Sequence, residues 1–198
     1  KSAKEAISIW SAINGPVALK IVSPDILHKT EIGGVRLNLN DPTEIEDAFN
    51  DIIEAGTKHY PKANIEGVII SEMISEGVET VLGVINDPIF GPAVMFGLGG
   101  VFVEVLGDVT FRLAPFDLSE AHRMIAEIKG IKMLYGARGA ASSDIDAIAD
   151  ALVKLSIFAS TNSDKISSID INPFIVRPEG QGAVGVDALI IPHGVDVI

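Results

Sequence analysis

The sequence has 198 residues, of which 47% are hydrophobic and 21% are charged, so the chain can bury a substantial core and is not intrinsically disordered. The formal net charge of -12 argues against nucleic acid or an anionic membrane as a partner, because both are bound mainly through Lys and Arg. The absence of cysteine excludes disulfides, zinc thiolate sites and thiol catalysis, and it fits a reducing cytoplasm.

Helix-like and strand-like patterns alternate from the start of the chain. Residues 1–14 predict a helix without a capping residue, and the strands Pro16–Val22 and Val35–Leu39 follow. The sequence Asp41-Pro42-Thr43-Glu44 is a capping-box pattern with proline at the first helical position, so a second helix is predicted to begin there. Its apolar face consists of Ile45, Ala48, Phe49, Ile52 and Ile53.

The middle of the chain predicts three strands and a helix. Val68–Ile74 and Val78–Ile85 flank a turn at residues 75–77, and the apolar run Ala93–Phe96 ends in Gly97-Leu98-Gly99-Gly100. Asp117-Leu118-Ser119-Glu120 is a second capping-box pattern, which predicts a helix to about residue 129.

The last third predicts a long helix and two strands. Ser143 is expected to cap the helix, whose apolar positions are Ile145, Ile148, Leu152, Leu155 and Phe158. The closing strands are Ile166–Val176 and Ala183–Ile190, separated by a turn at residues 178–182. We therefore predict an α/β or α+β fold with a mixed sheet, forming one domain or two joined lobes. No apolar stretch is long enough to cross a bilayer, and we expect a soluble, cytoplasmic protein.

The first candidate site combines a strand lysine with a glycine pair. Lys20 lies inside an otherwise apolar strand, where it either faces water from a sheet edge or binds an anion in a cleft. His28, Lys29 and Gly33-Gly34 follow within fifteen residues. Adjacent glycines permit close backbone approach and free N–H donors toward phosphate, so this group favours a phosphate site.

These motifs belong to longer segments that resemble a known family. PVALKIVSPDILHKTEIGGVRLNL, GVIISEMISEGVETVLGVINDPIFGPAVMFGLGGVFVEVLGDVTFRLAP, GARG and IDINPFIV occur in the order found in the ATP-grasp (beta) portion of ADP-forming acyl-CoA (acetyl-CoA) synthetases, in the succinyl-CoA synthetase superfamily. The resemblance covers nearly the whole chain. It implies an ATP-grasp fold with a smaller lobe at residues 1–72 and a larger lobe at residues 73–198, and we expect the chain to be incomplete at its N-terminus.

The resemblance assigns the nucleotide-binding residues. Lys20 would hold the phosphates of ATP or ADP, and Gly33-Gly34 would form a mobile loop over them. The segment of Glu72, Met73 and Ile74 would be the hinge against which adenine rests, and Glu79 would accept hydrogen bonds from the ribose hydroxyls. The alternative for both glutamates is a solvated strand face.

A magnesium site is expected near the end of the chain. Strand alternation puts Asp170 and Asn172 on one face, and oxygen donors of this kind suit Mg²⁺, which needs few protein ligands. The resemblance assigns Asn172 and Asp187 as metal ligands; alternatively, Asn172 caps a turn before Pro173. Ser168 stands where the family often has glutamate, which puts in doubt an ionic partner of the metal ligands there.

His28 matches the histidine that carries a phosphoryl group in the acetyl-CoA synthetases, although a lone loop histidine is more often mere surface. A neutral imidazole is suited to attack phosphorus and leave again. Asp170 could orient or deprotonate this imidazole, a role that competes with metal binding. Arg112 and Arg138 are candidates for neutralising phosphate charge, with surface salt bridges as the alternative.

The implied reaction is acyl-CoA + ADP + phosphate ⇌ acid + CoA + ATP, through a phosphohistidine. Because this chain has no evident CoA site, we expect it to need a CoA-binding alpha subunit, or the missing part of the same polypeptide, in an oligomeric enzyme. Two alternatives remain open: a catalytically silent synthetase-like module of a protein acetyltransferase, and another ATP-grasp carboxylate ligase, which needs no phosphohistidine.

Overall fold

The computed structural model describes residues 1–26, 29–74, 76–100, 107–136, 139 and 141–195. The chain divides into two compact units, Lys1–Ser75 and Glu76–Ile198. The predicted lobe boundary, after residue 72, lies close to this division. The assignment of the units as the smaller and larger ATP-grasp lobes stays a prediction. Within the described ranges, no helix has the length and apolar character needed to cross a membrane.

The first unit is a three-stranded antiparallel sheet with two helices. Its elements are α1 (Ala3–Ile13), β1 (Val17–Val22), β2 (Val35–Leu39), α2 (Pro42–His59) and β3 (Gly67–Glu72). The strand order is β2-β1-β3, so β1 is the central strand. The core consists of Ala6, Val17, Leu19, Ile21, Ile26, Ile45, Ala48, Phe49 and Ile52.

Both helices of this unit begin at a side chain that accepts backbone N–H groups. Asp41 Oδ1 accepts hydrogen bonds from Thr43 (2.8 Å) and Glu44 (2.9 Å), as the capping pattern predicted. The expectation that α1 has no cap is wrong, because the Ser2 hydroxyl accepts a hydrogen bond from the Glu5 N–H at 3.2 Å. A serine as the second residue is an ordinary N-cap, and the local sequence was sufficient to identify it.

The second unit is built on a six-stranded sheet. Its elements are β4 (Val78–Asp87), β5 (Gly91–Leu98), β6 (Val109–Leu113), α3 (Leu118–Ala126), a 3₁₀ turn (Ile131–Met133), α4 (Ile145–Thr161), β7 (Ile166–Val176), β8 (Ala183–Gly185) and β9 (Ala188–Pro192). The strand order is β6-β5-β4-β7-β8, and β9 also pairs with β7. The helices pack on the core face of this sheet; the fully buried side chains there include Leu82, Phe96, Leu98, Met124, Ile125 and Leu152.

Two predictions about the strands are wrong in detail. Mixed sheets were predicted, but every strand pair among the described residues is antiparallel. Some paired strands are joined by hairpins and others by longer connections that reverse the chain direction. The predicted strand Ala183–Ile190 is two strands, interrupted at Val186 and Asp187. There the Val186 N–H donates to the Pro173 carbonyl, a long-range bond that the local pattern does not reveal.

The predicted cap of α4 is also corrected. Ser143 is buried and forms an isolated bridge with Pro178, whereas Asp144 is the N-cap. The Asp144 carboxylate accepts hydrogen bonds from Ala147 (3.0 Å) and from Gly182 (2.9 Å) in the turn before β8. The second bond explains the shift, because it ties the start of the helix to a distant turn.

The apolar face of α4 differs from the prediction at its end. Ile148, Leu152 and Leu155 are buried as expected, but Phe158 is 44% exposed. Ala159 takes the buried position instead, because it continues the spacing of Ile148, Leu152 and Leu155 by one turn.

The two hydrogen bonds to Asp144 generate a stability prediction. Hydrogen bonds from Gly182 first, and from Ala147 second, lower the pKa of Asp144. The Asp144→Ala variant should therefore lose about 1 kcal/mol of unfolding free energy at neutral pH, the usual value of such a cap. The loss should shrink as the pH falls below about 4 toward the lowered pKa, because the carboxylate then becomes protonated.

Urea unfolding followed by circular dichroism gives the loss of unfolding free energy at neutral pH and at acidic pH. The exposed Asp164 provides a matched control, Asp164→Ala, which should change the unfolding free energy little at either pH. Equal stability of Asp144→Ala and the wild type at neutral pH would contradict the assigned role of Asp144.

Candidate functional site

Lys20 occupies the middle of the central strand of the first unit. It pairs with Val35 of β2 on one side and with Ile69 of β3 on the other. Only 9% of Lys20 is exposed, so the alternative of an edge-strand lysine facing water is wrong. Phosphate oxygens are one kind of group that the ammonium of such a largely buried lysine can bind.

The glycine pair closes a turn directly against β1. The Gly33 N–H donates to the Thr30 carbonyl at 3.1 Å, and the Gly34 N–H donates to the Lys29 carbonyl at 2.8 Å. The expectation that these N–H groups are free to face phosphate is therefore wrong for this conformation. Gly34 is needed for another reason: a Cβ there would lie 2.8 Å from Ile21 Cγ2 and 2.9 Å from the Lys29 carbonyl oxygen.

The segment between β1 and this turn is anchored on its N-terminal side. Asp25 Oδ2 accepts a hydrogen bond from the Asn64 N–H at 2.7 Å, and Ile26 is 1% exposed within the core of the first unit. His28 follows two residues later but lies outside the described residues, as does Arg138. Their predicted roles therefore rest on the sequence alone.

The predicted adenine hinge is where the chain passes from one unit to the other. Glu72 is the exposed last residue of β3 and pairs with Val17. The Met73 N–H donates to the Pro16 carbonyl at 3.0 Å, and Met73 and Ile74 follow the strand as half-buried residues. The predicted strand Val68–Ile74 thus ends two residues early.

Glu79 lies near the start of β4, in the second unit. Its backbone is opposite Ile175 of β7, and its carbonyl accepts a hydrogen bond from the Gly99 N–H at 2.8 Å. The Glu79 side chain is exposed, and it has no hydrogen bond or ion pair with any other described residue. A backbone paired with its neighbours and an exposed carboxylate are compatible with the predicted contact to ribose hydroxyls.

The predicted metal ligands come together around β7. Asp170 and Asn172 are both exposed on that strand, as alternation predicted. The Asn172 N–H donates to the Asp187 carbonyl at 3.1 Å, which puts the two predicted Mg²⁺ ligands on adjacent backbone segments. Asp187 lies in the break between β8 and β9 and not, as predicted, within a strand.

Asp170 and Asp187 are close enough to repel each other. Local desolvation first, and the charge of Asp187 second, raise the pKa of Asp170, although Asp170 is on the solvent side of the strand. Two carboxylates and an amide oxygen are hard donors, and a divalent cation would relieve the repulsion, so this set fits Mg²⁺. The described residues contain no group of three or more His, Cys, Asp or Glu side chains arranged for a metal.

Arg112 has partners that differ from the predicted phosphate. Its guanidinium donates to Glu120 at 2.5 Å, to Glu127 at 2.6 Å and to the Phe111 carbonyl at 2.8 Å. The hydrogen bonds to Glu127 and Glu120 raise the pKa of Arg112. The salt-bridge alternative therefore describes Arg112 in this structure, where it joins β6 to α3.

Two supporting residues were missed by the sequence analysis. Arg36 donates to the Gly33 carbonyl at 2.7 Å and so holds the glycine turn. Asp108 is 6% exposed, and it accepts hydrogen bonds from the Lys129 N–H (2.9 Å) and the Gly130 N–H (2.8 Å). Asp108 has no local sequence signal, because its partners lie more than twenty residues away, whereas Arg36 lies only three residues after Gly33 and was open to local reasoning.

Comparison with known proteins identifies relatives along almost the whole chain. Residues 1–191 match the model of the ATP-grasp domain family. The chain is 46% identical over 194 residues to acetate–CoA ligase (ADP-forming) II subunit beta of Pyrococcus furiosus, covering 98% of this chain and 82% of that subunit. It is 44% identical over 184 residues to acetate–CoA ligase (ADP-forming) I of Archaeoglobus fulgidus, covering 93% of this chain and 27% of that longer protein.

Solved structures show the same fold. Acetyl-coenzyme A synthetase 1 of Ca. Korarchaeum cryptofilum, in complex with coenzyme A and Ca-AMPCP, matches with a TM-score of 0.91 and 45% identity over 98% of this chain and 83% of that one. Its complex with coenzyme A and Mg-AMPPCP, with the phosphohistidine segment pointing towards the nucleotide binding site, matches with a TM-score of 0.80 and 42% identity, covering 96% and 83% of the two chains.

The close contact at Gly34 generates a prediction for the first unit. Because the added methyl group would meet a strand side chain and a backbone oxygen, Gly34→Ala should destabilise this unit by about 1–3 kcal/mol. Urea unfolding followed by the fluorescence of Trp10, the single tryptophan, reports on the first unit.

Gly15→Ala is the matched control, because a Cβ at Gly15 would have no neighbour within 4 Å. The two variants should differ clearly in the urea midpoint. If Gly34→Ala unfolds at the same urea concentration as Gly15→Ala, the glycine turn does not need the close approach described above.

Proposed function

Because this chain belongs to the ATP-grasp family and matches β subunits of ADP-forming acetate–CoA ligases along almost its whole length, we propose that it is the nucleotide-binding and phosphoryl-transfer part of an ADP-forming acetyl-CoA synthetase. The reaction of the complete enzyme is acyl-CoA + ADP + phosphate ⇌ acid + CoA + ATP. The observation that carries this proposal is the uninterrupted match to a β subunit, and Lys20 at the centre of the first sheet supports it.

The nucleotide-binding residues of this proposal are those that the resemblance assigns. Lys20 neutralises phosphate charge, because a positive charge on a largely buried residue interacts more strongly with an anion than one in open water. Gly33-Gly34 form the loop over the phosphates of the nucleotide. The Glu72–Ile74 segment is the hinge against which adenine rests. Glu79 of the second unit accepts hydrogen bonds from the ribose hydroxyls.

His28 carries the phosphoryl group in this proposal. Acyl phosphate formed on a separate CoA-ligase part gives up its phosphoryl group to a histidine there, and the group is then transferred to His28. A terminal phosphate oxygen of ADP next attacks phosphorus, the nitrogen–phosphorus bond breaks, and the imidazole leaves as ATP forms. Asp170 either orients this imidazole or assists the metal ligands.

Asn172 and Asp187 are the residues proposed to hold Mg²⁺, with Asp170 beside them. When bound, the ion offsets negative charge between the β- and γ-phosphates during transfer. The contribution of the chain is to bring these oxygen donors together through the hydrogen bond between Asn172 and Asp187.

A further protein part is proposed for the CoA-dependent chemistry. The relatives exist both as a separate β subunit and as one segment of a longer polypeptide. The partner is therefore a CoA-binding α subunit or the remaining part of one longer chain, assembled into an oligomeric, cytoplasmic enzyme.

Replacement of the phosphoryl carrier tests this proposal. With labelled ATP and Mg²⁺, the complete enzyme should acquire acid-labile phosphate on this chain, whereas the His28→Asn enzyme should acquire less than about a hundredth of it, since asparagine cannot form the nitrogen–phosphorus bond. His59→Asn, at the exposed end of α2, is the matched control and should be labelled like the wild type.

Other results of this labelling experiment would exclude His28 as the carrier or support one of the two alternative functions. Equal labelling of His28→Asn and the wild type would exclude His28 as the carrier. Nucleotide binding without any labelling of the wild type would indicate the silent module. Product formation that is insensitive to His28→Asn would indicate a carboxylate ligase of another type.

The metal ligands give a separate prediction. Asp187→Asn should weaken binding of ADP in the presence of Mg²⁺ by about tenfold or more, while binding of ADP in the presence of a chelator should change little, because only the metal contact is lost. Isothermal titration of the complete enzyme measures both affinities. Asp164→Asn, at an exposed turn, is the control; an equal loss with and without Mg²⁺ would contradict the metal role of Asp187.

A further inference from the structure

The glycine-rich stretch after β5 has no role in the function proposed above. Gly99, the first residue after β5, extends the pairing of β4 and β5 by one residue. Thr80 lies opposite Leu98, and the Gly99 N–H donates to the Glu79 carbonyl at 2.8 Å. Gly99 therefore lies directly opposite the residue that is proposed to bind ribose.

Gly99 lies so close to Glu79 that a side chain at this position would be crowded. A Cβ at Gly99 would lie 3.0 Å from Glu79 Cβ and 3.1 Å from both its carbonyl carbon and its carbonyl oxygen. These are atoms of the strand or directly attached to it, so a flexible side chain could not move away to make room. The backbone of Gly99 does not have a positive φ, which means that close approach, and not conformation, requires glycine.

Glu79 is also confined on its other side, by β7. Thr80 is fully buried, and its hydroxyl donates to the Phe174 carbonyl at 2.7 Å. A Cβ at Gly77 would lie 2.7 Å from the Val176 carbonyl oxygen, so this end of β4 also fits closely against β7. A methyl group added at Gly99 would consequently push Glu79 by a few tenths of an ångström, because the neighbouring atoms belong to a strand that is also held by β7.

We infer that Gly99 is a positioning residue for Glu79, and that this pair makes the site selective for ribonucleoside diphosphates over their 2′-deoxy analogues. The inference rests on the proposed contact of Glu79 with the ribose. An exposed carboxylate with no other described partner can accept hydrogen bonds from both ribose hydroxyls. Loss of the 2′-hydroxyl removes a charge-assisted bond, which corresponds to about a tenfold or larger loss of affinity.

The test compares the binding of ADP and 2′-deoxy-ADP to the complete enzyme by isothermal titration. The wild type should prefer ADP by about tenfold or more. Gly99→Ala and Glu79→Gln should both lose most of this preference, because ADP loses its bonds to both hydroxyls whereas 2′-deoxy-ADP has only the 3′-hydroxyl bond to lose. Gly15→Ala, whose added methyl group has no neighbour within 4 Å, should keep the preference of the wild type.

The ratio of the two affinities separates positioning from damage to the fold, because a folding defect would weaken both ligands alike. Retention of the wild-type ratio by Gly99→Ala would overturn the inference, and so would an equal loss for both ligands. If Gly99→Ala does not fold, Glu79→Asp decides instead: it withdraws the carboxylate by one methylene and should lower the ratio, and an unchanged ratio would overturn the inference.

The inference and the proposed function fail in different ways. A wild-type enzyme that binds ADP without preferring it to 2′-deoxy-ADP would overturn the inference and leave the proposed function standing. A wild-type enzyme that binds neither nucleotide would overturn both.

Discussion

The antiparallel pairing of β4 with two neighbours is the constraint on which the second unit depends. Pairing with β5 places Gly99 against Glu79, and pairing with β7 places Asp170 opposite Gly83. Because β4 is an inner strand, its backbone groups are satisfied from both sides, and a one-residue shift of its register would move every side chain to the wrong face. The positions of the proposed ribose and metal residues thus follow from one set of strand hydrogen bonds.

Close approach by glycine has the same structural role in each unit. Gly34 allows a turn to lie against Ile21 of β1, the strand that contains Lys20, and Gly99 allows a loop to lie against Glu79 of β4. In both cases the neighbouring atoms belong to a strand that supplies a proposed nucleotide-binding residue. The glycines therefore matter less as flexible points than as small residues that let a loop hold a strand in place.

The sequence predicted features that depend on local contacts. The helix start at Asp41 and the shared face of Asp170 and Asn172 were correct, since both follow from spacing along one segment. The resemblance to the ATP-grasp portion of acyl-CoA synthetases is confirmed by the family match and by the similarity to β subunits of ADP-forming acetate–CoA ligases. One error arose where a distant segment takes part: Asp144, and not Ser143, caps α4 and also bonds to Gly182. For Arg112 the sequence left phosphate and a salt bridge open, and its carboxylate partners lie eight and fifteen residues away. The role of His28 stays a prediction, because that residue lies outside the described part of the chain.

Transfer of a phosphoryl group from this chain to a nucleotide is the central claim, and a chase experiment tests it most directly. The complete enzyme is labelled with phosphate, freed of nucleotide and then mixed with ADP and Mg²⁺. The account predicts that the label leaves the chain and appears in ATP within one turnover. Label that stays on the chain, or that is released only as inorganic phosphate at the rate seen without ADP, would contradict it.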